Sequence, residues 1–443
     1  MYGAAKYPAP PESLPLERAG REEIEALQTE AFHRLVQRAW HHNSFYRKKW
    51  EAAGIKREMI RNIKDISLLP LVTKQELEQN LREFPPFGEF QGNLPSVRIQ
   101  GSSGSSGKPK PFFHTARDWD NITSLWARRL AANGVGQGDL VQIAFTYALF
   151  IPGFTSTEGA MKLGAMVIPA GSGAVTSSQR QVEIAREWGS TVLGATGTYA
   201  LHLADVAEEM GFDPARDFRF RLMYHTGEPL TEATRQKIQE RWNCRSYNNY
   251  GSVETGAPTW ECEEQAGMHI NEDAYYFEVV DPRTGEALPD GEEGALVVTT
   301  LFKEAAPVIR YMIGDLAVII PGTCKCGRTF RRLGTVKGRL DDMLKVKGAA
   351  VYPTAIETVL RRFPELGSEY RIIVECIEGL DNLRVEVEAV KYPPAPQLQG
   401  QVVQALKAQV GILCEVVLVP AGSLQGEVDN WIKSRRVIDK RKG

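Results

Sequence analysis

Between about residues 95 and 320 the chain alternates short β-rich runs with amphipathic stretches, and nothing else in the sequence limits its fold so strongly. VQIAFTY, AMVIPA, STVLGAT and FRLMYH are strand-length blocks, and they alternate with helical patterns such as those over 176–189, 199–211 and 231–242. Strands separated by helices pair in parallel, because the crossover returns each strand in the same direction, so an α/β core is expected. EGALVVTTL and LAVIIPG follow with no helix between them, which predicts an antiparallel or mixed β region around 275–340. After GRLDDMLKVKG the texture changes once more. A helix at 353–363, strands at RIIVECI and LRVEVEAV, a helix near 397–410 and a strand at CEVVLVP make a small α+β domain. Ahead of all this, Ile24, Leu27, Phe32, Leu35, Val36 and Ala39 recur at helical spacing within 21–53, and Gly54 marks the stop. The expected organisation is a large α/β body with a β subdomain over 1–340, followed by a small α+β domain over 341–443.

Composition removes several classes of function. The 53 Lys and Arg residues against 55 Asp and Glu leave a net charge of −2, so no global basic field points to nucleic acid. No apolar run reaches the roughly 18–20 residues that span a bilayer. The Pro-rich start, MYGAAKYPAPPESLPLERAG, has no apolar core and reads as an arm, not a signal peptide. The 6 cysteines are too few for a disulfide framework in a chain of 443 residues and favour reduced thiols or a metal. A cytoplasmic protein without membrane or nucleic-acid partners is expected, with homodimerisation left open.

The most unusual segment is Gly101-Ser102-Ser103-Gly104-Ser105-Ser106-Gly107-Lys108-Pro109-Lys110. Three glycines let the backbone close around an anion, and the serine hydroxyls, the N–H groups and Lys108 supply donors for phosphate oxygens. It is not a P-loop: five residues separate Gly101 from Gly107 instead of four, and Pro109 stands where Ser or Thr would hold magnesium. A flexible Gly/Ser linker is the competing reading. The segment lies between strand-like SVRIQ and ordered-looking PFFHTARDWDNITSLWARRL, which favours a binding loop.

SSGSSGKP resembles the phosphate loop of the adenylate-forming enzymes, which include acyl- and aryl-CoA synthetases. Further motifs of that superfamily follow in order. HTGEPL (225–230) is similar to the segment flanking adenine, YGSVETG (250–256) to the Tyr-Gly-x-Thr/Ser-Glu motif, and RYMIGD (310–315) to the ribose-binding motif. GRLDDMLKVKG (338–348) resembles the hinge, and Lys433 the late catalytic lysine. NSFYRKKWEAAGI, LPLVTKQEL, PDGEEGALVVTTL, WECEEQAGMHI and CKCGR resemble the phenylacetate–CoA ligase type, over nearly the full length.

The resemblance implies ATP-dependent activation of an aryl or arylacetic acid as its adenylate, then transfer to coenzyme A. Such chemistry is mostly positioning and charge neutralisation. Ser102, Ser103, Gly104, Ser105, Ser106, Gly107 and Lys108 would hold the β- and γ-phosphates, and Glu254 the Mg²⁺ that ATP brings. Gly227, Glu228 and Pro229 would flank adenine, Tyr250 would offer it an aromatic face with Gly251 beside it in the nucleotide site, and Asp315 would accept from the ribose hydroxyls beside Arg339. Lys433 would neutralise charge between carboxylate and α-phosphate, and the 341–443 domain would turn about Asp341. Two positions depart from the pattern. Val253 replaces the hydroxyl residue before the motif glutamate, a loss of about 1.5–3 kcal/mol unless Ser252 or Thr255 compensates. Ile432 replaces the glycine before the lysine. An amide ligase or carrier-loading enzyme, or a nucleotide binder without turnover, are the alternatives.

Cys262-x₆-His269 and Cys324-x-Cys326 supply three thiolates and one imidazole, the donor set of a closed structural Zn²⁺ site. Buried thiols with a core histidine are the competing reading, while Cys244, Cys376 and Cys414 are expected in the core. FTYALFIPGFT (145–155) is similar in texture to the family's aromatic pocket, which makes Tyr147 and Phe150 candidates for contact with the acid.

Overall fold

The computed structural model describes residues 13–102, 109–340, 343–347, 349–377, 380–424 and 436–442. The chain forms two compact units, one from Met1–Val141, Tyr147–Val167 and Tyr247–Val336, the other from Gln142–Thr146, Ile168–Ser246 and Lys337–Gly443.

In the first unit the helical segment expected over 21–53 is present, but as two helices, Arg21–His42 and Ser44–Ala52. Asn43 causes the break: in extended conformation, it turns its side chain to accept from the Tyr46 N–H at 3.2 Å and caps the second helix. Ile24, Phe32, Leu35, Val36 and Ala39 are buried as the spacing requires, whereas Leu27 is among the exposed apolar residues. Strands Glu293–Thr300 and Tyr311–Ile320 pair antiparallel, and Tyr275–Val280 pairs antiparallel with the first of them. Val279, Ala295, Val297, Leu316 and Ile319 are buried, and strand Glu293–Thr300 is buried at every position after Glu293, so the β region expected around 275–340 forms with that strand covered on both faces.

The second unit contains the βαβ pattern. Helices Ser178–Trp188, Gly197–Glu209 and Glu232–Trp242 lie within two residues of the expected spans. Strands Val192–Gly194 and Leu222–His225 pair in parallel inside a five-stranded sheet that also includes Leu140–Ile143, Met166–Ile168 and Arg245–Asn248. Leu193, Met223, Ala200, Leu203, Ala204 and Ile238 fill the space between sheet and helices.

In the same unit, Pro353–Leu360 and Leu398–Val410 are helices, with Pro353 in the first turn, where its missing N–H costs nothing. They cover a four-stranded sheet in the order Glu415–Pro420, Leu380–Ala389, Leu366–Ile377, Val437–Asp439. The last strand has no helical or alternating signal strong enough to be read from sequence. It is held by parallel pairing of Val437 with Ile372. Cys244 and Cys414 are buried, but Cys376 is exposed. Placing Cys376 in the core was wrong because it faces Asp381, beside the tip of a long hairpin and past the apolar residues Ile372 and Val374. Among the described residues no helix is long and apolar enough to cross a membrane.

Candidate functional site

In the first unit, two motifs far apart in sequence meet through one hydrogen bond. Tyr250, in the loop after strand Arg245–Asn248, donates its hydroxyl to the Asp315 carboxylate at 2.6 Å, and Asp315 projects from strand Tyr311–Ile320. The loop is fixed from behind by Arg129, a buried helical residue whose guanidinium donates to the Tyr250 carbonyl at 2.9 Å and to the Thr259 carbonyl. Gly251 has no alternative there, since a Cβ would lie 2.4 Å from the Gly256 carbonyl oxygen. Across the same turn, the Ser252 and Thr255 hydroxyls lie 3.0 Å apart and bond to each other. The two hydroxyls weighed as replacements for the one lost at Val253 are thus engaged with one another.

Glu254 is buried, and two buried lysines surround it electrostatically. Lys303 donates its ammonium to the Glu254 carbonyl at 3.2 Å and lies over the Phe112 ring. Burial pulls its pKa down to about 8, while the Asp118 and Glu254 charges work to keep its proton. Asp118 is itself held by the Thr115, Glu304 and Ala305 N–H groups. Lys110 is also drawn below the usual range by burial, with Glu254 and Glu78 opposing the shift. Sequence reasoning missed both lysines as site residues. Lys110 follows the loop by one proline and could have been weighed beside Lys108; Lys303 in TTLFKEAAP belongs to no recognisable pattern.

The phosphate-loop flanks are joined. Gly101 pairs with Pro111, the Ser102 N–H donates to the Lys110 carbonyl at 3.0 Å, and the Lys110 N–H donates to the Ser102 hydroxyl. The loop residues Ser103, Gly104, Ser105, Ser106, Gly107 and Lys108 lie outside the described residues, as do Asp341, Ile432 and Lys433.

The Tyr147 hydroxyl lies 2.8 Å from Thr157 Oγ1, and its ring meets Phe154 edge-on with centroids 5.1 Å apart. Burial raises its pKa, so it stays a neutral phenol. Phe150 precedes helix Ile151–Lys162 as its N-cap. Phe154 is the aromatic partner that the sequence reading did not single out.

In the second unit, Gly227 takes φ +91 just after strand Leu222–His225, a conformation that suits glycine. It turns the chain so that the Glu228 carboxylate accepts from the Thr198 N–H at 2.6 Å, in the first turn of helix Gly197–Glu209. Pro229 follows, exposed, and Arg339 sits in the short strand Gly338–Arg339.

The Cys262, His269, Cys324 and Cys326 donor atoms all lie within 4.8 Å of one another. Cys262 Sγ and Cys324 Sγ are 3.7 Å apart, and Cys326 Sγ is 3.4 Å from His269 Nε2. A tetrahedral zinc with thiolates at about 2.3 Å and an imidazole at about 2.0–2.1 Å sets sulfurs about 3.8 Å apart and sulfur and nitrogen about 3.5 Å apart. A disulfide would need about 2.05 Å. His269 Nδ1 donates to the Phe330 carbonyl at 3.2 Å, which leaves Nε2 as the ligating nitrogen. Burial opposes the Cys326 thiolate, yet bonds from Arg328 and the neighbouring thiols bring its pKa below the usual value. The donor set and spacing fit a four-coordinate Zn²⁺.

Residues 96–301 match the AMP-binding enzyme family and residues 348–441 the AMP-binding enzyme C-terminal domain. A phenylacetate-coenzyme A ligase of Thermus thermophilus is 37% identical, the alignment covering 96% of this chain and 99% of the relative. One from Escherichia coli is 35% identical over 96% and 97%. A crystal structure of 2-hydroxyisobutyryl-CoA ligase in the postadenylation state is 29% identical, with a TM-score of 0.90 over 100% of this chain and 95% of that one. The same ligase in its thioesterification state gives a TM-score of 0.73 over 99% and 95%.

Proposed function

The chain belongs to the AMP-binding enzyme family, alongside phenylacetate-coenzyme A ligases, and on that premise we propose that its acid substrate is an aryl or arylacetic acid. It is an AMP-forming acid–CoA ligase that works through an acyl-adenylate. A substrate carboxylate oxygen attacks the α-phosphorus of ATP, the bond to the bridging oxygen breaks, and pyrophosphate leaves. The coenzyme A sulfur, without its proton, then attacks the acyl carbon, and AMP departs with the carboxylate oxygen.

The observation that supports the assignment of residues is the 2.6 Å bond between Tyr250 and Asp315, two residues from separate nucleotide-like motifs. In this reading Asp315 accepts from the ribose hydroxyls and Tyr250 and Gly251 pack against adenine, while Gly227–Pro229 and Arg339 carry the remaining nucleotide motifs. Mg²⁺ neutralises phosphate charge when bound, and Glu254 would hold it. Ser102–Lys108, with Lys110 behind them, would bind the β- and γ-phosphates. Tyr147, Phe150 and Phe154 would bound the acid's ring. Lys433 would bridge carboxylate and α-phosphate, with residues 341–443 acting as a lid that turns about Asp341.

Cys262, His269, Cys324 and Cys326 would hold a structural zinc, since four protein ligands leave no position open for substrate. The six unpaired cysteines support a cytoplasmic location.

Acid-dependent ATP–pyrophosphate exchange over a panel of aromatic acids tests the function. Exchange with at least one is expected, and its absence for every acid with folded protein refutes the assignment of substrate class. Lys433→Ala should abolish exchange and spare thioester formation from pre-made adenylate.

A further inference from the structure

In the first unit, aromatic rings hold Arg98 where a carboxylate would be expected. Its guanidinium carbon lies 3.8 Å from the centre of the Trp119 ring and 4.2 Å from that of Phe154. Glu158 is the carboxylate whose charge acts on it, but both Glu158 oxygens accept from the Trp119 indole N–H, at 2.9 and 2.8 Å. Among the described residues Arg98 has no side-chain hydrogen bond and no ion pair.

His114 stands directly opposite Arg98 in the antiparallel pair of strands Arg98–Gly101 and Pro111–His114, so both side chains leave the same face. The His114 ring meets Trp119 edge-on, with centroids 5.7 Å apart, and is fully buried. Neither ring nitrogen has a hydrogen-bond partner among the described residues. Burial, with the Lys303 and Arg98 charges nearby, pushes its pKa well below the ordinary range, so the ring is neutral, with one nitrogen to donate and one to accept. Two unsatisfied nitrogens in the interior cost stability, so packing alone gives no reason for a histidine at this position.

These groups adjoin the residues assigned to the acid. Phe154, which carries Arg98 over its ring, meets Tyr147 edge-on. One line of contacts therefore runs from Tyr147 through Phe154, Arg98 and Trp119 to His114. Phe112, on the same strand face as His114, lies under Lys303, which donates to the Glu254 carbonyl.

We propose that Arg98 is a specificity-determining residue that, with His114, receives an oxygen substituent on the body of the acid, a hydroxyl or a second carboxylate. The preferred substrate is then an aryl or arylacetic acid carrying such a group, an inference that rests on the acid–CoA ligase reading above and deepens it. Arg98 offers only donors, which oxygen lone pairs accept; neutral His114 adds a donor for a carboxylate, or a donor and an acceptor for a hydroxyl. Trp119 and Phe154 attract the guanidinium through their ring quadrupoles without cancelling its charge. An acid that lacks the substituent leaves Arg98 and His114 unpaired, and this loss discriminates against it.

The test compares acids that differ only in the substituent: phenylacetate and benzoate against their ring-hydroxylated and ring-carboxylated analogues, read as kcat/KM for acid-dependent pyrophosphate exchange. The wild-type protein should favour at least one substituted acid over its parent about 10- to 100-fold. A preference for hydroxylated or for carboxylated acids supports the proposal and identifies the oxygen group received. Arg98→Met should bring the ratio close to one, and Arg98→Lys, which keeps the charge but not the planar fork, should restore part of it. His114→Phe should also lower the ratio without lowering the melting temperature, since it removes two unsatisfied nitrogens. Ratios that the variants leave unchanged, or equal losses for substituted and parent acids, would overturn the proposal. If Arg98→Met does not fold, the wild-type ratio and Arg98→Lys decide in the same way. Wild-type exchange that favours the parent acids refutes this inference and leaves the ligase reading standing, whereas exchange with no acid at all refutes both.

Discussion

The Cys262–His269–Cys324–Cys326 cluster and the Tyr250–Asp315 pair both bring together residues separated by more than fifty positions, but they do so in opposite ways. In the first, the donor atoms converge within 4.8 Å, Cys262 and His269 are fully buried and Cys324 nearly so. In the second, a single 2.6 Å bond joins two half-buried side chains, and the surrounding loop is fixed through its backbone by Arg129. A site that closes on one ion can contribute only stability, whereas a site built to receive a substrate keeps its polar atoms reachable and places its rigidity behind them.

Asp315→Ala should separate the two regions most sharply. Losing the proposed acceptor of two ribose hydroxyls, each charge-assisted bond being worth about 1.5–3 kcal/mol, should cut kcat/KM for ATP about 10³-fold while leaving the melting temperature nearly unchanged. Cys324→Ser should do the reverse. Protein-bound zinc, measured by elemental analysis, should fall from stoichiometric to near zero, and stability in denaturant should drop by about 3 kcal/mol. The fraction still folded should retain most of its kcat. Stripping the metal with a chelator should reproduce that loss of stability in the wild-type protein and add little in the Cys324→Ser variant. Tyr250→Phe should have the smallest effect, roughly tenfold in KM for ATP, because it removes one hydroxyl and leaves the aromatic face. A Tyr250→Phe variant that loses as much as Asp315→Ala would mean that the phenol does more than orient the carboxylate.

The sequence made the order of elements readable wherever periodicity was strong. Helices Ser178–Trp188 and Glu232–Trp242 lie within two residues of the expected spans because their amphipathic pattern is written locally; the structure adds that Ser177 and Thr231 cap them. It failed where a contact and not a pattern decides. The strand Val437–Asp439 exists through its pairing with Leu366–Ile377. Cys376 lies outside the core because of where a hairpin ends, which alternation cannot reveal. The buried Lys303 has no motif, and its role behind Glu254 depends on the position of Phe112 and Asp118.

By itself, the sequence determined the α/β alternation, the glycine-rich loop, the ordered motifs and the composition of the three-cysteine, one-histidine cluster. These are properties of local spacing and residue chemistry, which hydrophobic periodicity and backbone freedom write directly into the chain. Only the tertiary structure decided that the Ser252 and Thr255 hydroxyls bond to each other and that Cys262 and Cys324 lie 3.7 Å apart. Such contacts arise between elements distant in sequence, and their distances follow from how whole layers pack, which no local pattern encodes.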